Sequence, residues 1–184
     1  MDQEARQATV KTLDMGIVLA LVAMDVIARL LPHAPNFTPV AASALFAGVF
    51  LGSRLLALTV PLAAMGLSDS VIGFYDWHVM VAVYVALALP AVLGWFAKSS
   101  SRRILVLPLA VVSSVIFFVM TNFAVWMSSG MYPHDVAGLL KCSVAAIPFF
   151  QNTLMGDTFW AIALFGTVAI WQAAGSPRNN PRVV

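Results

Sequence analysis

Apolar runs of near-membrane length alternate along the chain with short polar breaks. Residues 1–12 are polar and carry Arg6 and Lys11, and a first apolar run covers 15–31. That order resembles a signal peptide, but Asp25 and Arg29 interrupt the run and no small-x-small cleavage site follows, so it is read as a retained first span. The second run, 40–51, is short unless 37–39 enter the membrane with it. Its Ala41, Ala42, Ala44, Ala47 and Gly48 offer a face small enough for close helix packing. A third span is predicted over 55–74 with a kink at Pro61, a fourth over 79–97, a fifth over 104–126 and a sixth over 153–171. Between the last two, Val136, Leu139, Leu140, Val144 and Ile147 recur at helical spacing in a stretch too short to span. This predicts an interfacial or re-entrant helix capped by Asp135 and ended by Pro148.

The pattern therefore predicts an all-α polytopic membrane bundle of about six spans, with residues 1–184 as a single integral membrane domain. Composition agrees: 61% of the 184 residues are hydrophobic and 10% charged, against about 25% charged in soluble proteins. The sequence pI of 9.0 comes from basic residues scattered at span ends without a patch of interleaved aromatics, which excludes a nucleic-acid surface. The charges set an orientation instead. With the N-terminus inside, Arg6, Lys11, Arg54, Lys98, Arg102, Arg103, Arg178 and Arg182 are cytoplasmic, eight of the ten basic residues, and both termini lie on that side. The lone Cys142 excludes an intramolecular disulfide.

On this topology the histidines and most span-end acids fall at the outer end, and the inner end holds positive charge and serines. Asp25 and Arg29 are four apart, share a helix face and are expected to pair or to share a partner. His33 continues that face, and Pro32, Pro35 and Pro39 stiffen an exit that holds Asn36 and Thr38. The expected ligand-binding set is Arg29, His33 and Asn36 from the first exit, Asp69, Asp76 and His78 from the second, and Asn122 and Asp157 from the third, with 128–152 as a lid. In it Arg29 suits an anionic group, Asp69 and Asp157 a cationic or hydroxyl-bearing one, and Asn36 and Asn122 neutral hydrogen bonds. No histidine pair has metal-ligand spacing, no nucleophile motif appears and no Walker A loop is present, so neither metal, cofactor nor catalysis is expected.

The stretches RLLPHAPNFTPVAASALFAG at 29–48 and VPLAAMGLSDSVIGFYDWH at 60–78 resemble a bacterial family of six-span inner-membrane proteins described, without characterisation, as transport proteins. The overall plan is similar to the substrate-binding membrane subunits of energy-coupling-factor importers. That likeness implies a bacterial inner-membrane location and a ligand near the outer face under loop lids. It also implies docking of an ATPase-driven transmembrane module, in other chains, on small-residue faces such as Gly16, Ala20, Ala23 and Ala28. The expected function is uptake of a small polar solute from the outer side of the lipid bilayer. The alternative is a structural or assembly subunit of a membrane complex.

Overall fold

The computed structural model describes residues 3–175. Backbone groups in an apolar phase must be satisfied within the chain, and helices do this locally. Among the described residues there is no strand, and seven α-helices follow one another: α1 Gln3–Leu30, α2 Val40–Phe50, α3 Arg54–Ile72, α4 Trp77–Gly94, α5 Val106–Ser128, α6 Val136–Ala145 and α7 Ile147–Gly175. Two 3₁₀ turns, Trp95–Ala97 and Ser100–Leu105, join α4 to α5.

By length and composition, 4 segments are long and apolar enough to cross a membrane: Arg54–Ile72, Trp77–Ala97, Ser101–Ser128 and Ile147–Gly175. The remaining two of the six expected spans fall short for different reasons. Helix α1 carries Asp14, Asp25 and Arg29 along its apolar part. Helix α2 has 11 residues, about 16 Å of helix against a hydrocarbon core of about 30 Å.

Helix α2 is the centre of the bundle. Nearly every residue from Val40 to Val49 is buried, against α3, α4 and α7 above all. An all-apolar helix is stable only when covered on every side, and α2 is covered that way. Its closest neighbour is α4: a Cβ at Gly48 would collide with the Ala91 carbonyl, and one at Gly94 would lie 2.5 Å from the Leu45 oxygen. Two glycines thus let the backbones touch.

The start of α2 lies deep. Val40 and Ala41 pack with Met65, Leu87 and Phe117, which are roughly 10–16 Å along their helices from the ends at Ile72, Trp77 and Ser128, at 1.5 Å per residue. The chain therefore leaves α1 at one end of the bundle and descends through 31–39 before helix resumes.

Two boundaries differ from the sequence reading. Helix α6 begins at the Asp135 cap as expected, its Oδ1 accepting from Gly138 N at 2.7 Å, but ends at Ala145. Pro148 sits in the first turn of α7, where its missing N–H has no helical acceptor to lose, so it starts a helix and does not stop one.

The bundle has a basic end and a polar end. At the basic end Lys98 Nζ donates to the Leu51 carbonyl at 2.9 Å, Arg54 lies 4.9 Å over the Trp95 ring, and Gly52 N donates to Asp14 Oδ2 at 3.1 Å. Arg178 and Arg182 lie outside the described residues, as does the Arg6 side chain.

Candidate functional site

The last turn of α1 sets the floor of the polar end. Arg29 Nε donates to Ser68 Oγ at 2.6 Å and Nη2 donates to Asp69 Oδ1. Asp69 is 1% exposed, and its Oδ2 accepts from the Tyr84 hydroxyl at 3.0 Å. The expected Asp25–Arg29 pair does not form. One turn deeper, Asp25 is fully buried and faces α2, its Oδ1 accepting from Ser43 Oγ at 2.7 Å and its Oδ2 without a partner. Arg29 reaches across to α3, where it meets both the Asp69 carboxylate and the Ser68 hydroxyl.

Segment 31–39 holds its path by short-range bonds: Phe37 N donates to Ala34 O at 3.0 Å and Thr38 N to Asn36 O at 3.1 Å. Asn36 takes a φ of 64°, a left-handed conformation that asparagine tolerates better than most residues. The Phe37 ring lies 5.8 Å from that of Phe159, and a Cβ on Gly156 would come 3.1 Å from Phe37 Cα. Gly156 thus admits the descending backbone against α7. Pro39 opens α2, whose first turn has no side-chain cap, so its N–H groups and the positive end of its dipole are left at mid-depth.

Beside that helix start lies a cavity of 400 Å³. Arg29, His33, Asn36 and Asp157 from the expected set line it, together with Thr38, Tyr75 and Thr153. Met65, Val83, Leu87 and Phe117 supply apolar wall. Asp157 is 4% exposed. Its Oδ2 accepts from Ser114 Oγ at 2.6 Å, and its other oxygen has no partner among the described residues. Tyr75 is a neutral donor, since burial first and the Asp69 charge second push its phenol up to about 12. A side pocket of 120 Å³ shares Asn36, Phe117 and Thr153 with the cavity and adds Asn122. The Asn122 amide is committed to the Phe118 carbonyl at 2.7 Å.

The rest of the expected set lies elsewhere. Asp69 is one residue back, held by Arg29. Asp76 and His78 do not line the cavity: Asp76 caps α4, accepting from His78 N at 3.0 Å, Val79 N at 3.1 Å and Ser128 Oγ at 3.1 Å. The Val79 N–H is the largest cause that holds the Asp76 carboxyl below its ordinary range. His78 stacks on Trp77 with centroids 3.7 Å apart. Segment 128–152 contributes nothing to the larger cavity and only Ala146, Phe149 and Phe150 to the side pocket. Helix α6 instead leans on α5, where the Cys142 thiol donates to the Asn122 carbonyl at 3.5 Å. Sequence reasoning placed Thr38 in the first exit but left it, with Tyr75 and Thr153, out of the expected ligand-binding set. Tyr75 reads as an interfacial anchor, and nothing in the run around Thr153 distinguishes it.

The chain matches a family of unknown function (DUF6580) over residues 10–178. No curated protein and no solved structure matches it.

Proposed function

We propose that this chain, which belongs to the family of unknown function DUF6580, takes up a small polar solute through the cavity between α1, α3, α4, α5 and α7. The observation that carries the reading is convergence: residues from three separate exits meet around 400 Å³, within the roughly 300–1,000 Å³ usual for small-molecule sites. An unpaired Asp157 oxygen asks for a cationic or N–H-bearing group. The remaining guanidinium nitrogen of Arg29 and the uncapped start of α2 ask for an anionic or carbonyl group. A half-helix start at mid-depth beside a polar cavity is the arrangement broken helices use to hold solutes in carriers.

In this reading α1 and α2 complete a six-element membrane bundle. Lys11, Arg54, Lys98, Arg102 and Arg103 at the basic end support a reading in which that end, with both termini, lies in the cytoplasm of a bacterial cell and the cavity opens outward. The protein is a carrier and not an enzyme. An energising ATPase-driven module in other chains would dock on α1, where Gly16, Ala20 and Ala23 lie exposed along one face. The same stripe favours the second reading, an assembly subunit that binds neighbours through α1 and uses the cavity for nothing.

Thermal-shift screening of the purified protein against amines, zwitterions and nitrogen heterocycles separates the two. The carrier reading expects a stabilising solute whose affinity falls by about 1–3 kcal/mol in each of Asp157→Asn and Asn36→Ala, the cost of stranding a buried polar partner. Full affinity in both variants, or no stabilising solute in any class, leaves the assembly subunit as the better account.

A further inference from the structure

The outer wall of the bundle carries a second concavity, remote from the solute cavity and at the opposite end. Helices α5 and α7 diverge there around a groove of 510 Å³. Ile104, Leu107, Ile162, Phe165 and Ala169 form its walls, and Gly166 contributes no side chain to its floor. Arg103 and Gln172 stand at its basic end.

Arg103 is poorly satisfied. Its guanidinium lies 4.9 Å over the Phe50 ring, Nη1 donates to Gln172 Oε1 at 3.4 Å, and Nε is buried with no partner. A guanidinium has five donors in a planar fork suited to phosphate oxygens. Arg102 and Lys98 reinforce the positive charge at this end. Phosphate chemistry is what these donors lack, and a negative net charge is what the surroundings favour.

Length identifies the source of that phosphate. From Gln172 to Ala161 the groove follows α7 for about 16 Å at 1.5 Å per residue, the depth of one leaflet of a core about 30 Å thick. A soluble anion would use the arginine and leave the apolar walls empty. We propose that the groove binds one anionic phospholipid, with its phosphate on Arg103 and the Gln172 amide and one acyl chain along α5 and α7. Juxtamembrane basic residues attract anionic lipids in the same way without a groove; here the groove adds a fixed position.

Native mass spectrometry of the protein in mild detergent tests this, with phosphatidylglycerol and phosphatidylcholine of identical chains as probes. The expected result is one retained phosphatidylglycerol, bound at least about tenfold more tightly than phosphatidylcholine, whose phosphate is the same but whose trimethylammonium is repelled by the Arg103 guanidinium beside it. Arg103→Gln should erase that preference, Arg102→Gln should change it by less than about twofold, as an exposed charge does, and Ile162→Trp should fill the groove and lower binding of both lipids. Equal binding of the two lipids by the unaltered protein overturns the proposal. So does an Arg103→Gln variant that keeps the preference, or displacement of the lipid by millimolar inorganic phosphate. Should Arg103→Gln fail to fold, the comparison of the two lipids on the unaltered protein decides alone. Because no groove residue lines the solute cavity, failure here leaves the uptake reading untouched.

Discussion

Arg29 and Asp69 hold three helices together at the cavity floor, because Arg29 comes from α1, Ser68 and Asp69 from α3, and Tyr84 from α4. Breaking one half of a buried pair strands the other, so Arg29→Gln and Asp69→Asn should each cost about 3–5 kcal/mol of stability in detergent, with the double variant little worse than either. Asp25→Asn combined with Arg29→Gln should show a smaller coupling than the Arg29–Asp69 double variant, since Asp25 and Arg29 share no hydrogen-bond partner and meet only through charge one helical turn apart. Unfolding measured on the full set of single and double variants checks both statements. Asp76 gives a pH signature at the same end. Its carboxyl is depressed by the Val79 N–H first and by Ser128 and His78 after it, against a smaller opposing effect of desolvation. A depressed folded-state value means that its stabilising contribution is complete above the ordinary value of 3.8 and is lost as pH falls through the folded value. The melting temperature of the unaltered protein should therefore carry an acid-side decline that Asp76→Asn lacks, and identical profiles would remove Asp76 as a cap. The sequence made Arg29, Asn36 and Asp157 visible because polar residues stand out in apolar runs. It could not reveal the partner of Arg29, forty positions away on α3, since helical spacing reports only residues on the same helix.

Helix α2 depends on the absence of side chains at two points. Gly48→Ala puts a Cβ into the Ala91 carbonyl, and neither backbone can yield without unpacking α2 from α4. A loss of at least about 1–3 kcal/mol is expected from such overpacking. Gly16→Ala on the exposed face of α1 meets nothing within 4 Å and should gain up to about 1 kcal/mol by stiffening the unfolded chain. Opposite signs in a melting comparison support the packing account; similar small effects at both sites would refute it. The shortness of α2 was readable from 40–51, and so was the possibility that 37–39 go into the membrane with it. What the pattern hid was Pro148, because a proline at the end of one helix and at the start of the next looks the same until the preceding turn is seen.

At the level of the molecule, the charge asymmetry predicts which face a membrane-impermeant reagent can reach. Cys142 is a poor reporter, being 3% exposed with its thiol pushed up by burial. In a Cys142→Ser background, the proposed orientation expects His134→Cys to be labelled by an impermeant maleimide in intact cells, and Ser101→Cys only once the membrane is opened. The reverse pattern would invert the topology and turn the cavity inward. Buried placement of α2 also has a bearing on how the chain is made. Insertion machinery accepts segments by length and hydrophobicity, and α2 is half a span long, so it is expected to enter with α3, which is long and apolar enough to cross. Its remaining faces are covered only after the ribosome has passed α4 and, later, α7. Until then α2 is an apolar helix with an uncapped start and incomplete cover, and chains stalled before residue 147 are expected to be open to membrane quality-control proteases. Truncated nascent chains ending near residue 130 should accordingly be degraded faster than full-length ones in a pulse-chase experiment, and equal lifetimes would mean that α2 is sheltered before its partners arrive.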